Sequence, residues 1–318
     1  MSAPNGARFQ TPMLRADYAS VHVDCPAKTN LTLHVGERRE EWDGRHTLET
    51  IYCGVGIYDT VTVTAKEPGT GFSLDLAGTH LGDLAASTSD MRRNHAVLAM
   101  FAMAQASGHE PDVSISIEKR IPVAAGLGGG SADAAGTLLA LNALWNLNWP
   151  VARLREIATT LGADMPFCVT GGLALGTGFG ERIEDLTASD PRIEHAVGDL
   201  FADAPSGDGA HMLVGAYLSQ LSTPEVYSTF DVLGAGEGDL NELQHAAVSL
   251  HPRSGVAIRE AQQAGATSAF VSGSGPTVIA VVPNDRVREA TRAAWQASGA
   301  VDRIIEAQVP AVPLMRAE

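Results

Sequence analysis

The sequence predicts an α+β protein built in two parts, and three stretches carry that expectation. Residues 112–118 alternate apolar and polar like a half-buried strand, a glycine-rich loop follows, and residues 132–144 switch to helical spacing. Strand-like alternation also fills the N-terminal third. From residue 269 to the end, strand and helix patterns alternate, as in a layer of helices on a sheet. A chain of 318 residues that is 45% hydrophobic exceeds what one core usually occupies, so two units are expected, residues 1–170 and 171–318.

Taken in order, the chain opens with a polar tail to about residue 16. Val21, Val23 and Cys25, then Leu31, Leu33 and Val35, alternate with polar residues and predict two strands broken at Pro26. Asp43-Gly44 is a turn signal before a third strand, Arg45 to Ile51. Residues 59–66 and 71–76 read as two strands joined by a Pro68-Gly69 turn. Residues 92–107 have helical spacing and stop at Gly108, with their methionines as core filler. Trp149-Pro150 breaks the chain before a helix over 151–161. Residues 171–180 read as a strand and turn crossing toward the second unit. Residues 181–210 are acidic and polar and read as an exposed connection, with 203–209 of a composition that often marks mobility. A strand over 212–218, a helix over 256–264 and a hairpin over 269–282 complete the reading.

Composition excludes several classes of partner. The formal charge of −15 argues against nucleic acid and against an anionic membrane surface, which both need a basic face. Cys25, Cys53 and Cys168 are scattered without Cys-x-x-Cys spacing, which fits reduced thiols. No run of about 18 apolar residues occurs and the N-terminus lacks a long apolar core, so a soluble cytoplasmic protein is expected. Monomer and homodimer both remain open.

The glycine-rich loop, Pro122-Val-Ala-Ala-Gly-Leu-Gly-Gly-Gly-Ser131, is built to approach an anion. Glycines at 126, 128, 129 and 130 remove Cβ atoms and permit positive φ, so consecutive N–H groups can converge on a phosphate. Ser131 is expected to open the helix, whose free N–H groups and dipole add to the site. The dinucleotide fingerprint is disfavoured, because Ser131 replaces its third glycine and a long lead with Pro122 intervenes. A Walker A loop is excluded, since the only lysines are Lys28, Lys66 and Lys119. A flexible surface loop remains the alternative from the local sequence alone.

With its flanks, this loop resembles the central motif of the GHMP kinases, which hold ATP phosphates in such a Pro…Gly-Leu-Gly-rich segment. Pro26-Ala-Lys28-Thr-Asn30-Leu31 resembles the first motif of one branch, the 4-diphosphocytidyl-2-C-methyl-D-erythritol kinases, whose lysine lies beside the reacting hydroxyl. Gly162-Ala-Asp164-Met-Pro166 resembles that branch's catalytic-aspartate signature, and Ser272-Gly-Ser-Gly-Pro-Thr277 the third GHMP motif. Read without the resemblance, Lys28 is a snorkelling or edge-strand lysine, Asp164 a helix cap and Tyr227 a packed residue beginning a helix. Asp133 is explained by the helix dipole.

The resemblance implies a GHMP kinase fold, with an N-terminal domain like ribosomal protein S5 domain 2 and a ferredoxin-like C-terminal domain, the site lying between them. It implies ATP and Mg²⁺ as cofactors and a small cytidine diphosphate alcohol as substrate. Lys28 and Asp164 become the catalytic pair. Pro122, Gly126, Leu127, Gly128, Gly129, Gly130 and Ser131 meet the ATP, with Asn94 near the adenine and Ser131 as metal ligand. Asn30, Arg45, His46, Tyr227 and Gly273 lie on the substrate side, His46 and Tyr227 at the cytosine. Two residues depart from the pattern: Arg45 stands where the branch has Tyr, and His95 where it has Leu. A guanidinium plane also stacks on a base, so Arg45 is expected to replace the ring's function. Another GHMP small-molecule kinase, of the homoserine or mevalonate type, would share the loop but lack the Lys28, His46 and Asp164 set. A silent binding protein on this fold would be expected to lose Lys28 or Asp164.

Overall fold

The computed structural model describes residues 19–78, 91–201 and 210–318. The expected tail and the segment 203–209 lie outside the described residues. Two antiparallel strands, β1 (Ser20–Arg39) and β2 (Arg45–Ala65), form the spine of the first sheet. Pro26 does not end β1 as expected. The strand absorbs it in a bulge between Pro26 and Ala27, and a second register shift follows between Asn30 and Thr32. Proline has no N–H to give the ladder, and a bulge tolerates that while bending the strand and re-aiming the side chains beside it. Lys28 sits between the two shifts, opposite Gly54.

β3 (Ser73–Gly78) does not pair with β2 as a hairpin. β4 (Val113–Lys119) lies between them, antiparallel to β2 and parallel to β3. The turn before β3 is held instead by the Asp112 carboxylate, which accepts from Gly69 N at 2.8 Å and Gly71 N at 2.6 Å. Helix α1 (His95–Ser107) ends at Gly108, whose φ of +75° gives the left-handed cap expected there. α2 (Gly129–Leu144), α3 (Val151–Thr159) and the short α4 (Met165–Cys168) follow β4.

Residues 171–180 do not cross to the second unit. They add β5 (Leu173–Thr177) to the first sheet beside β2, and β6 (Arg182–Leu186) pairs with it. Residues 191–197 form α5 (Pro191–Val197), which buries Ile193, Ala196 and Val197. The polar composition of 181–201 conceals this element, because one helical turn of apolar residues suffices to seat so short a helix.

The second sheet contains β7 (Ala210–Ala216), β8 (Ser268–Val271), β9 (Val278–Val281) and β10 (Arg303–Val309) in the order β10-β7-β9-β8, all antiparallel. Counted in its own chain order this is 4-1-3-2, the ferredoxin-like arrangement. α6 (Thr223–Leu233), α7 (Gln244–Leu250) and α8 (Pro252–Gln263) connect β7 to β8, and α9 (Asp285–Ser298) connects β9 to β10. Both faces of this sheet are covered. Met212, Val214, Ile279 and Val281 join the core of the first unit, while Leu213, Val278 and Ala280 pack with Trp295 on the helical side. The unbroken apolar run of β9 follows from that double burial. The chain then returns to the first sheet, where β11 (Leu314–Ala317) pairs with β1. Among the described residues, no helix is long and apolar enough to cross a membrane.

Candidate active site

The glycine-rich loop leaves β4 and enters α2 earlier than its sequence suggests: the helix opens at Gly129, not Ser131. Gly128, at φ +69°, is its cap, and the first helical bond runs from Ala132 N to Gly128 O at 2.9 Å. The amides of Gly129, Gly130 and Ser131 therefore occupy the first turn, where a helix has no carbonyl for them. Such a turn is a phosphate cradle by its backbone alone. Leu127 anchors the loop in the core and its carbonyl accepts from Lys28 N at 2.9 Å, while Pro122 is buried behind it.

A second loop closes on the first. The turn from Ser272 to Pro276 packs so tightly on Gly126 that a Cβ there would collide with the Ser272 carbonyl oxygen. Ser272 Oγ donates to Gly126 O at 3.0 Å and accepts from Thr29 Oγ1 at 2.9 Å. Asn241 fixes the turn from beneath, donating to Val271 O and Gly273 O at 2.7 Å each. Gly273 itself faces Lys28 and Asn30, whose atoms would lie 3.2 and 3.4 Å from a Cβ at that position.

Lys28 and Asp164 meet where these loops converge. Lys28 Nζ lies 3.1 Å from Asp164 Oδ2 and donates to Asn30 Oδ1 at 2.9 Å. Asn30 is held in turn by Thr50, to whose Oγ1 it donates at 2.7 Å. Lys28 is buried, whereas the Asp164 side chain is 32% exposed and open to an incoming ligand. The helix-cap alternative for Asp164 does not hold, since its carboxylate makes no cap bond to α4. Its second oxygen, Oδ1, accepts from Tyr52 Oη at 3.0 Å, and the Tyr52 ring stacks on Phe167 with centroids 4.8 Å apart. Burial, then the charge of Asp164, push the Tyr52 phenol well above its usual range, so it stays a donor.

Beyond this pair lie the residues assigned to the substrate. His46 is buried near the start of β2, its Nδ1 2.7 Å from Gly36 O. Tyr227, on α6, stacks over it at 5.5 Å with an interplanar angle of 25°. Arg45 is exposed, its guanidinium 4.9 Å over the Phe179 ring, which meets Trp42 edge-on. Burial, then Asp164, raise the Tyr227 phenol, which ties this end of the site to the Lys28–Asp164 pair.

Asn94 caps α1, accepting from Ala96 N at 2.9 Å. His95, next to it, packs on the glycine-rich loop, where a Cβ on Gly130 would come within 2.5 Å of its Nδ1. Asp133 serves no dipole. It is buried and accepts from Lys119 Nζ at 2.6 Å, and the same ammonium donates to Asp59, which also accepts from Ile121 N at 2.8 Å. Two carboxylates sharing one lysine in a dry site pin β2, the start of the loop and α2 together.

Family models match the chain in two stretches, GHMP kinases N terminal domain over residues 94–172 and GHMP kinases C terminal over residues 228–301. A 4-diphosphocytidyl-2-C-methyl-D-erythritol kinase of Bifidobacterium adolescentis is 65% identical over 297 residues, 93% of this chain and 94% of that protein. The chain belongs to the 4-diphosphocytidyl-2-C-methyl-D-erythritol kinase family. A more distant member of the family, from Mycobacterium tuberculosis, is 40% identical over 293 residues, 87% of this chain and 86% of its own. A crystal structure of 4-(cytidine 5'-diphospho)-2C-methyl-D-erythritol kinase superposes with a TM-score of 0.66 at 28% identity, covering 91% of this chain and 99% of the other. Homoserine kinase from Cytophaga hutchinsonii shares the GHMP fold, with a TM-score of 0.68 at 17% identity over 95% of this chain and 99% of its own.

Membership of the family accounts for the motifs, but it does not make all of the support around them visible. Tyr52, Asn241 and the Lys119–Asp59 pair are not singled out by sequence reasoning, and Thr29 and Ser272 enter it only as members of the first and third motifs, without a role of their own. Tyr52 lies in a strand where an aromatic residue is expected for packing alone. Asn241 acts through the chain crossing that brings residues 240–242 against Leu33, and Ser272 through the packing of its turn on Gly126 and Thr29.

Proposed function

We propose that the protein transfers the γ-phosphoryl group of ATP to the tertiary hydroxyl on C2 of 4-diphosphocytidyl-2-C-methyl-D-erythritol, a step of the non-mevalonate isoprenoid pathway. The observation that carries this reading is the Lys28–Asp164 pair beside the glycine cradle, in a chain 65% identical to a kinase of that name. Transfer takes place where the part assigned to residues 1–170, with the loop, meets the part assigned to 171–318, with the Ser272–Pro276 turn.

The chemistry asks little covalent work of the protein. The substrate hydroxyl gives its proton to Asp164 as its oxygen bonds to the γ-phosphorus, and the bond from that phosphorus to the β-bridging oxygen breaks to release ADP. Lys28 steadies the developing alkoxide and keeps a cation beside the reacting oxygens. Tyr52 and Asn30 hold the carboxylate and the ammonium in their shared geometry. The amides of Gly129, Gly130 and Ser131 meet the β- and γ-phosphates, with Asn94 on the adenine side. His46 and Tyr227 take the cytosine, and Arg45 covers it from the Phe179 side.

Mg²⁺ fits this arrangement as an ion carried on the nucleotide phosphates. Ser131, half-buried in the first turn of α2, would give it a hydroxyl ligand, and the ion would offset phosphate charge when bound. Three free, buried cysteines support a reducing, cytoplasmic setting.

The test is ADP release with ATP and Mg²⁺, offering 4-diphosphocytidyl-2-C-methyl-D-erythritol, homoserine and mevalonate in parallel. Turnover of the first alone is expected. Turnover of another alcohol instead would replace the substrate assignment.

A further inference from the structure

Resting on the cytidine reading above, we infer that Asp231 is a specificity-determining residue: together with His46 it reads the amino edge of the substrate's pyrimidine and rejects a keto pyrimidine. His46 Nδ1 is 2.7 Å from Gly36 O, and its Nε2 is 3.0 Å from Asp231 Oδ1. Both neighbours accept and neither donates, so both ring nitrogens are assigned as donors. The Nε2 atom is nevertheless buried without an aligned hydrogen-bond partner, in a residue only 9% exposed. Its hydrogen therefore does not point along the line to Asp231. A donor and an acceptor stand side by side, 3.0 Å apart, with the donor unspent.

The complement of that pair is a ring nitrogen acceptor next to an exocyclic amine. Cytosine presents it at N3 and N4, so that N3 accepts from His46 Nε2 while N4–H donates to Asp231 Oδ1. Uracil presents the reverse, an N3–H facing the donor and an O4 facing the carboxylate, and both contacts become repulsive. The surroundings suit a flat base. Tyr227 lies one helical turn before Asp231 on α6 and stacks on His46, and Phe230 meets the imidazole edge-on at 6.1 Å. Arg38 grips Asp231 through Oδ2, which fixes the carboxylate and leaves Oδ1 for the ligand. The Asp231 side chain is 31% exposed, so the carboxylate of the pair is reached from solvent, with His46 buried against it.

The experiment compares kcat/KM for the cytidine diphosphate substrate and its uridine counterpart in wild type, Asp231→Asn and Arg38→Ala, alongside CMP and UMP binding by saturation-transfer NMR. Wild type is expected to prefer cytidine in both assays. The side-chain amide introduced by Asp231→Asn can turn its N–H₂ toward O4, so this variant should cut that preference by about tenfold or more, chiefly through KM, with thermal unfolding showing an intact fold. Arg38→Ala frees the Asp231 carboxylate without removing its acceptor, so it should lower the preference less than Asp231→Asn does. An unchanged preference in Asp231→Asn, or its loss in Arg38→Ala alone, would overturn the inference, as would a wild type indifferent to the base. A wild type that prefers CMP yet does not turn over the cytidine substrate would remove the kinase reading and leave the base reading standing.

Discussion

Lys28 Nζ lies 3.1 Å from Asp164 Oδ2, although the two residues come from a strand and a helix start far apart in the chain. The ammonium is buried and the carboxylate is partly open, so the pair presents its acidic side to a ligand and keeps its cation behind. Each partner is steadied by a separate group, Asn30 for the lysine and Tyr52 for the aspartate. The contact is therefore set before any substrate arrives.

Replacing Asp164 by Asn keeps an oxygen for Tyr52 to meet but removes the carboxylate proposed as proton acceptor. General-base catalysis typically contributes about 10²–10⁴-fold, and kcat for Asp164→Asn should fall by roughly that factor with KM little moved. Steady-state ADP release gives both constants. A variant that kept wild-type kcat would remove Asp164 from the proton transfer.

Tyr52→Phe tests the support rather than the base. The Phe167 stack survives in this variant, while Asp164 loses one of its two partners. A stability cost of about 1 kcal/mol and a fall in kcat of about tenfold are expected, since one hydrogen bond net contributes that much and the carboxylate gains freedom to turn. Urea unfolding and the same kinetic assay separate the two effects. Equal kcat at lower stability would make Tyr52 a packing residue only.

The motifs were legible in the sequence because each is a local exception to folding rules. A lysine among strand residues, four glycines around one leucine and an aspartate before Met-Pro all cost something unless they are used. What supports them was not legible, because Tyr52, Thr29 and Asn241 are ordinary choices for the elements they occupy. Long-range pairing was hidden for a similar reason. Nothing local in Gly71 to Leu76 tells that β4 will lie between β2 and β3, and Pro26 gave a strand break where the sheet placed a bulge. Asp133 shows the limit most clearly: a helix expected to open at Ser131 put it in the first turn and suggested the dipole, whereas α2 opens at Gly129 and the packing of Lys119 against Asp133 gives its role.

Gly126 combines a φ of +80° with a backbone contact that no rotamer relieves. Gly126→Ala must push Ser272 and Gly275 away, opening the join between the two loops. Destabilisation of about 1–3 kcal/mol is expected, with a several-fold rise in KM for ATP. Gly299→Ala is the control, since that glycine has a φ of +65° but open space around it. It should show the backbone cost without any change in KM. Matching KM values in the two variants would mean that the loop contact does not shape the nucleotide site.

The buried Lys119 cluster makes stability depend on pH in a direction that can be worked out. Burial, reinforced by the Asp59 charge and opposed by Lys119, raises the Asp133 carboxyl to about 7. The folded chain then binds this proton more tightly than the unfolded chain does, whose aspartate titrates near 3.9. That contribution to stability is complete below about pH 4 and is lost as the pH rises through about 7. Between those limits it declines by about 1.4 kcal/mol per pH unit, the linkage slope for one proton. Asparagine at this position mimics the protonated carboxyl and does not titrate. Urea unfolding of wild type and Asp133→Asn between about pH 5.5 and 8.5 should therefore give curves that diverge up to about pH 7 and run parallel above it, with the variant gaining relative to wild type as pH rises. Curves parallel throughout would show that Asp133 stays ionised in the folded chain, held so by Lys119.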